Sequence, residues 1–264
     1  MGEPLGEVLC SVDGPVAVVT LNRPERRNAI SGGLLAGLRE VLAGLDGRPD
    51  VLAIVLTGAD PAFCAGLDLV ELGQPGGPLA EVAGGPVLPG LATPLIGAVN
   101  GPCVTGGLEL ALACDFLVAS ERASFADTHA RIGVLPGWGL TVALPAAVGL
   151  RRAREMSATG NFVTARTALE WGLVNHVVAH GELLGFAAGL AADVASADPA
   201  TLREIFATYD AGALVSGGEA LAIEAAAHRA RHAGGIDAAQ VARRRGAVID
   251  RGRAGAAAQR SIDN

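Results

Sequence analysis

Short apolar runs alternate with longer amphipathic segments along the first two thirds of the chain. The apolar runs have the length of β-strands, whereas the amphipathic segments repeat their apolar positions at helical spacing. Because strands that alternate with helices usually form a parallel sheet, the pattern predicts an α/β protein. The predicted strands are residues 7–12, 16–21, 51–56, 95–99, 116–119 and 174–178.

Several element boundaries are marked by residues with a defined local role. Ser31 is a good N-cap residue, so a helix is predicted to begin after it. Thr164 and Gly172 bracket another helix as its N-cap and its terminator. Asp13-Gly14 predicts a hairpin turn between the first two strands. The apolar face of the first helix is predicted to consist of Leu34, Leu35, Leu38, Val41, Leu42 and Leu45.

The composition changes in two places along the chain. Residues 72–90 are rich in glycine and proline, which predicts a mobile loop with room for one helical turn. From about residue 183 the chain is rich in alanine and is predicted to be helical to about residue 253. We therefore divide the chain into a core, residues 1–195, and a helical C-terminal region, residues 196–264.

Composition and charge exclude several classes of function. The chain has 264 residues, of which 50% are hydrophobic, enough for one large domain with a sizeable core. Its net charge of −7 argues against a non-specific nucleic-acid binder, which needs a basic face. There is no apolar run long enough to span a membrane, and the first residues lack the pattern of a secretory signal. The four cysteines form no C-x-x-C pair, so we expect free thiols in a reducing, cytoplasmic protein.

Two glycine-rich loops carry the strongest functional signal. The first is residues 62–68 and the second is residues 101–109, and each follows a strand-like apolar run. Loops of this kind leave backbone N–H groups free to point at a common position. Two such donors on one oxygen form an oxyanion hole, which stabilises the negative charge that develops in acyl chemistry.

Both loops resemble those of the enoyl-CoA hydratase/isomerase (crotonase) superfamily. In that family the first loop reads Phe-x-Ala-Gly-x-Asp, and the second reads Gly-x-x-x-x-Gly-Gly-x-Glu before a helix that ends in Cys-Asp, here Cys114-Asp115. The resemblance covers roughly residues 5–180. It implies a spiral core of ββα turns, with C-terminal helices that pack in a trimer or in a dimer of trimers.

The resemblance also implies roles for individual residues. The backbone N–H groups of Leu67 and Gly106 correspond to the oxyanion donors, and Glu109 corresponds to one of the two catalytic glutamates of the hydratases. Asp68 is expected to hold its loop by hydrogen bonds, and Gly107 is expected to let the backbone approach the thioester. Without the resemblance to this family, the arginine-rich turn at residues 22–29 would be interpreted as a solvated charged turn. The residues assigned to coenzyme A binding are Arg23, Arg26, Arg27, Ala29, Ala65, Asp68, Gly107 and Pro136.

The second catalytic glutamate of the family is missing. Counting back from Pro136-Gly137, its place is held by His129, which is able to give and take protons near neutral pH. A lone histidine is more often structural, but at this position we favour an active-site residue. If the segment is extended, Asp127 lies on the same side as His129. Asp127 would then orient His129 or tune its charge, or serve as the carboxylate itself. A glutamate at position 129 is expected to preserve or raise hydration of a short enoyl-CoA.

The remaining histidines and Trp138 carry less weight. His176/His180 and His228/His232 have i,i+4 spacing, but a metal site would need a helix and a third ligand. Trp138 is expected to form a pocket wall or to pack in the core. We therefore expect no metal and no separate cofactor, with coenzyme A present as part of the substrate.

Three functions remain open at this point. The first is a lyase of the enoyl-CoA hydratase type that acts on an acyl-CoA thioester through an enolate. The second is an enoyl-CoA isomerase or another crotonase-type reaction on an acyl-CoA, which the replacement of a glutamate by His129 makes a serious rival. The third is a non-catalytic oligomer that binds acyl-CoA. The acyl chain and the pathway, including the expected place in fatty acid metabolism, are not encoded in a readable motif.

Overall fold

The computed structural model describes residues 4–74, 85–88 and 90–207, together with scattered positions from 209 to 253. The strands are β1 Pro4–Leu5, β2 Val8–Asp13, β3 Val16–Leu21, β4 Ala53–Gly58, β5 Leu95–Val99, β6 Pro102–Val104, β7 Phe116–Ser120, β8 Ser124–Ala126, β9 Val163–Thr164 and β10 His176–Val178. The helices are α1 Gly32–Asp46, α2 Leu69–Leu72, α3 Gly106–Leu112, α4 His129–Ile132, α5 Leu140–Val148, α6 Leu150–Thr159, α7 Ala165–Trp171 and α8 Leu183–Ala195.

A seven-stranded sheet in the order β1-β2-β3-β4-β5-β7-β10 forms the centre of the fold. The first three strands pair antiparallel, and β3, β4, β5, β7 and β10 pair parallel. The predicted hairpin between β2 and β3 is present, but it turns at Gly14-Pro15 rather than at Asp13-Gly14, because Asp13 still pairs with Val16. The strands β6, β8 and β9 form a second, smaller sheet. The prediction of an α/β protein with a parallel sheet is confirmed.

Helix α1 begins and packs as its sequence predicts. The Ser31 hydroxyl accepts a hydrogen bond from the Leu34 N–H at 2.9 Å and caps the helix. The Ser31 side chain also pairs with the Glu7 carboxylate of the segment before β2. All six predicted apolar positions are buried. The helical repeat of leucine and valine therefore marks the face that covers the sheet.

Helix α8 covers the opposite face of the sheet. Its buried residues Leu183, Ala187 and Ala191 form a separate apolar cluster with strand residues such as Val55 and Val118. Along β4, Val55 belongs to this cluster whereas its neighbours Ile54 and Leu56 belong to the main core, as the alternation of a strand requires. Helix α8 ends at Ala195, the residue at which we placed the end of the core.

The predicted strands lie within about two residues of the observed ones, with one informative offset. Strand β4 was expected at residues 51–56 but pairs over Ala53–Gly58. Val51 is fully buried although it precedes the strand. The apolar residues at 51–56 therefore indicate which positions are buried, not which ones form the hydrogen bonds of the sheet. Strands β6, β8 and β9 were not predicted, because two or three residues are too few to show an alternation.

The helical prediction for the C-terminal region is tested only at its start. Residues 199–207 are helical, and most later residues lie outside the described part of the chain. Of the predicted loop at 72–90, residues 75–84 and 89 also lie outside it, and α2 ends where the loop was expected to begin. No helix within the described ranges is long and apolar enough to cross a membrane.

Truncating a leucine on the buried face of α1 should destabilise the protein strongly. Leu38 is fully buried between α1 and the sheet. We expect Leu38→Ala to lower the free energy of unfolding by about 2–5 kcal/mol, because it removes apolar contacts and leaves a cavity. Urea titration measures this change. The matched control is Leu169→Ala on α7, where the leucine is 41% exposed and the cost should stay below about 1 kcal/mol. Equal costs at the two positions would contradict this assignment of the core.

Candidate active site

The two glycine-rich loops contact each other directly through their backbones. The first loop follows β4 and the second follows β5, so adjacent parallel strands deliver both loops to the same edge of the sheet. The Cys64 N–H donates to the Pro102 carbonyl at 3.1 Å, and the Val104 N–H donates to the Cys64 carbonyl at 2.9 Å. The loops therefore form one rigid unit rather than two independent turns.

Gly107 makes this contact possible. A Cβ atom at Gly107 would lie 2.3 Å from the Cys64 carbonyl oxygen, which no side chain could tolerate. The close neighbour of Gly107 is thus the first loop, and the expected approach of a thioester to this glycine stays a prediction. Gly66 has a φ of +95°, and a Cβ there would lie 2.9 Å from the Val104 carbonyl oxygen. Both glycines are required by the packing of one loop on the other.

The predicted oxyanion donors lie side by side at this junction. Two backbone hydrogen bonds hold the first loop on either side of Leu67. The Ile30 N–H donates to the Gly66 carbonyl at 2.8 Å, and the Asp68 N–H donates to the Ile30 carbonyl at 2.9 Å, so neither bond uses the Leu67 amide. The Gly106 amide is the first of α3, and a Cβ on Gly106 would lie 3.5 Å from the Leu67 nitrogen. Among the described residues, neither amide donates a hydrogen bond, so both are available to one ligand oxygen.

Thr105, which precedes Gly106, has a strained backbone. Its φ of 54° and ψ of −109° are unfavourable for a β-branched residue. The Thr105 N–H donates to the Ala126 carbonyl at 2.8 Å, and its hydroxyl accepts from the Thr128 N–H at 3.1 Å. These bonds fix the start of α3 and tie the second loop to the segment that carries His129.

Glu109 and His129 are brought together in the interior. Glu109 lies in the first turn of α3 with its side chain 3% exposed. One carboxylate oxygen, Oε1, accepts the Trp138 N–H at 2.9 Å. The other oxygen, Oε2, lies 3.6 Å from Nε2 of His129. The predicted pair of site residues is thus adjacent, with one oxygen of Glu109 anchored and the other facing the histidine.

Asp127 contacts His129, although not through the geometry that we expected. The segment is not extended, which was the condition for the expected contact, because β8 ends at Ala126 and His129 begins the helical turn α4. The Asp127 Oδ1 atom accepts the backbone N–H of His129 at 3.1 Å and lies 2.7 Å from its ring Nδ1. A short polar side chain just before a helical turn bonds to the backbone in this way. The carboxylate therefore reaches the ring from the turn.

The charges of the two residues are coupled. Burial alone would lower the pKa of His129, but the hydrogen bonds and charges of Asp127 and Glu109 outweigh it and raise the pKa to about 9. Burial would likewise raise the pKa of Asp127, yet its bonds to His129 and to the Ser157 hydroxyl lower it below its usual range. At neutral pH the site therefore holds an imidazolium next to the Asp127 carboxylate.

Of the residues assigned to coenzyme A binding, some have side chains held by other protein groups and others have exposed side chains. The Arg23 guanidinium is held by Glu7 at 2.7 Å and by Asp68 at 3.2 Å. Asp68 also caps α2 by accepting the Val70 N–H at 3.0 Å, which is the holding role that we expected. The Arg26 and Arg27 side chains are exposed beside the first loop.

The backbone of the arginine-rich turn is bonded to the first loop. The Ala65 N–H donates to the Arg27 carbonyl at 3.0 Å, and the Ala29 carbonyl accepts from the Arg23 guanidinium at 2.6 Å. Pro136, in the segment after α4, is half-buried. The predicted coenzyme A residues of the turn and of the first loop are therefore neighbours in the fold.

The other histidines do not form a metal site in the described part of the chain. His180 lies 3.0 Å from the Ser120 hydroxyl and 3.1 Å from the Asp60 carboxylate, and His176 packs edge-on against Phe186. No group of three metal-binding side chains occurs within the described residues. The pair His228/His232 lies outside them.

Three contributions to the site were missed by sequence reasoning. The backbone N–H of Trp138 anchors Glu109, whereas the half-buried Trp138 ring, 3.3 Å from the Cβ position of Gly106, is the wall that was one of its two expected roles. Ser157 on α6 supports Asp127, and the strained Thr105 aims the second loop. No local signal identifies these contacts, because each joins residues that are distant in sequence.

Known proteins are similar to this chain in sequence and in fold. A probable peroxisomal enoyl-CoA hydratase 1 of Arabidopsis thaliana is 36% identical over 230 residues, which are 85% of this chain and 87% of the relative. An enoyl-CoA hydratase structure from Mycobacterium avium is 44% identical with a TM-score of 0.81, covering 87% of this chain and 98% of its own. One from Mycobacterium tuberculosis H37Rv is 45% identical with a TM-score of 0.79, covering 86% of this chain and 99% of its own.

These similarities confirm the predicted crotonase-like fold. The family described as enoyl-CoA hydratase/isomerase matches residues 12–234, which include Glu109, Asp127 and His129. Together with the paired loops and their two available amides, the match assigns the family: the chain belongs to the enoyl-CoA hydratase/isomerase family.

Proposed function

We propose that this protein is an enoyl-CoA hydratase, a lyase that adds water across the double bond of a 2-enoyl-CoA thioester. One observation carries the proposal: Glu109 Oε2 and His129 Nε2 lie 3.6 Å apart in the interior, in the helix and turn that adjoin the two available amides. Such a pair can supply both proton movements of the reaction. The enoyl-CoA hydratase names of the relatives support it as well.

The Leu67 and Gly106 amides are the proposed oxyanion hole. Both would donate hydrogen bonds to the thioester carbonyl oxygen. When a nucleophile adds at the β carbon, the electron pair of the double bond moves onto that oxygen as an enolate. Fixed donors aimed at this charge lower the barrier because they need no reorganisation during the reaction.

Glu109 is the proposed base and His129 the proposed acid. Glu109 accepts a proton from water while the water oxygen forms a bond to the β carbon. The imidazolium of His129 then donates its Nε2 proton to the α carbon, and the enolate collapses to the thioester. Glu109 is left protonated and His129 neutral. Transfer of one proton across the 3.6 Å between Oε2 and Nε2 restores both groups.

Coenzyme A is the proposed handle of the substrate, and no separate cofactor takes part. The exposed Arg26 and Arg27 are suited to its phosphates, whereas Arg23 and Asp68 hold the turn against the first loop. Ala29, Ala65 and Pro136 are proposed to line the path of the nucleotide and pantetheine. The four cysteines of the protein are free thiols, and we propose a cytoplasmic location.

Isomerisation of the double bond is the alternative reaction at the same site, because it uses the same enolate and a proton donor. A panel of 2-enoyl and 3-enoyl thioesters, with the products identified by mass, separates the two reactions. The hydratase proposal predicts a product that is heavier by one water. A product of unchanged mass with a shifted double bond would replace it by the isomerase, and binding without any turnover would favour a non-catalytic acyl-CoA-binding protein.

Removing the proposed base should abolish most of the turnover and spare binding. We expect Glu109→Gln to lower kcat for crotonyl-CoA by about 10²-fold or more, the usual contribution of a general base. The amide still accepts the Trp138 N–H, so the fold should be retained. Loss of the absorbance of the conjugated thioester measures kcat, and calorimetry with a saturated acyl-CoA measures binding. The control is Glu40→Gln on the exposed side of α1. Unchanged kcat in Glu109→Gln would exclude the proposed base.

The reaction should slow at alkaline pH. Because the pKa of His129 is raised to about 9, the ring is protonated at neutral pH and loses its proton as the pH rises through that value. We therefore expect kcat to fall on an alkaline limb near pH 9, as measured from pH 6 to 10. A limb near the ordinary histidine value of 6.5 would show that the charge of His129 is not held as proposed.

The proposed assembly is a homotrimer or a dimer of trimers, built through residues 196–264. The support is the helical start of this region at 199–207 and its high alanine content. Light scattering at micromolar concentration should give a mass of three or six chains. A monomeric mass would contradict the proposal.

A further inference from the structure

Asp127 is fixed by groups from two sides. Its Oδ1 atom lies 2.7 Å from Nδ1 of His129 and accepts the His129 backbone N–H at 3.1 Å. From α6, the Ser157 hydroxyl bonds to the same carboxylate. The Asp127 side chain is only 2% exposed, so solvent does not compete for these bonds. Its position therefore fixes that of the His129 ring.

We infer that Asp127 is a positioning residue, which holds His129 as a protonated acid with Nε2 turned towards Glu109. The catalytic role of this contact rests on the proposed hydratase function, whereas the orientation and charge of the ring do not depend on that function. The contact also explains how a histidine can stand where the hydratases of the superfamily carry a glutamate.

The orientation follows from the hydrogen bonds. Asp127 occupies Nδ1, so Nε2 is the nitrogen left for the reacting groups, and it faces Glu109 at 3.6 Å. Because a carboxylate only accepts hydrogen bonds, Nδ1 must carry a hydrogen. Without this acceptor, rotation of the ring would exchange its two nitrogens. The bond thus determines which nitrogen meets the substrate.

The charge follows from the same contacts. The titratable groups that face the ring are Glu109 from α3 and Asp127 from the preceding segment. From α6 the contact to Asp127 is the uncharged Ser157. Arg131, on the same turn as His129, directs its guanidinium to the Thr159 carbonyl at the end of α6. The cationic ring is therefore flanked by carboxylates, which is consistent with its raised pKa.

These contacts revise the expectation that a glutamate at position 129 preserves hydration. A carboxylate there would lie beside both Asp127 and Glu109, with the cation between them removed. Like charges in a buried site strongly disfavour their ionised forms. We therefore expect His129→Glu alone to be impaired, and we expect it to recover when Asp127 is made neutral.

The first test is Asp127→Asn, which keeps the shape of the side chain and an acceptor for the His129 backbone N–H. We expect kcat to fall by about 10-fold to 10²-fold, with little change in KM, as for other residues that act through a catalytic neighbour. The alkaline limb of kcat should also move to lower pH. The matched control is Asp50→Asn, since Asp50 is an exposed aspartate paired with Arg48. If the alkaline limb of kcat stays at the same pH in Asp127→Asn, Asp127 has only a structural role.

The second test places the same substitution in a His129→Glu background. If Asp127 acts through His129, Asp127→Asn should lower kcat in the wild-type background but leave kcat unchanged or raise it in the His129→Glu background. The two substitutions are then strongly non-additive. An equal loss of kcat in both backgrounds would overturn the inference, because it would indicate a purely structural requirement for Asp127.

The third readout does not depend on turnover. The ring of His129 is titrated by NMR in the wild type and in Asp127→Asn, with the signal assigned by its absence from His129→Gln. We expect the wild-type ring to titrate near 9 and the variant ring clearly lower. Equal titration in both proteins would overturn the inference. A shifted titration in a protein that hydrates no enoyl-CoA would instead contradict the proposed function and support the role of Asp127 towards the ring.

Discussion

The site depends on the backbone contact between the loops that follow β4 and β5. Cys64 bonds to Pro102 and Val104 across this contact, and Gly107 lies so close to Cys64 that any side chain would separate the loops. The contact places the Leu67 and Gly106 amides side by side and determines where α3 begins. Because Glu109 lies in the first turn of α3, the same contact also places the proposed base relative to the oxyanion donors.

A second constraint compensates for the missing glutamate. His129 brings a positive charge into a buried site, and Asp127 supplies the countercharge from a position two residues earlier, just before the helical turn. Thr105 and Thr128 tie this turn to the second loop, so the proposed acid, the proposed base and the proposed oxyanion donors belong to one connected network. In the proposed mechanism, histidine and aspartate together provide the proton donor that the resemblance assigns to a carboxylic acid.

The sequence predicts most of the scaffold because the scaffold is built from local signals. The Ser31 cap, the leucine repeat of α1 and the apolar strands of the parallel sheet each lie within one short segment. The motifs also predict Glu109 and His129 as site residues, and the structure brings these two side chains within 3.6 Å of each other. The contact of Asp127 with His129 was considered only for an extended segment, whereas a helical turn makes it. The support from Ser157 and from the Trp138 amide was not expected at all. These contacts depend on how α5 and α6 pack around the site, which no local pattern reports.

The central claim is that Glu109 and His129 act on different atoms, one on water and the other on the α carbon. Exchange of the α protons of butyryl-CoA with D₂O, followed by NMR at a pH above about 9, tests this directly. At that pH the ring of His129 is neutral and is able to remove an α proton, and a saturated thioester can form the enolate but cannot be hydrated. We expect wild-type protein to catalyse the exchange, Glu109→Gln to retain a substantial part of it, and His129→Ala to lose it. Exchange that survives in His129→Ala and disappears in Glu109→Gln would contradict the account.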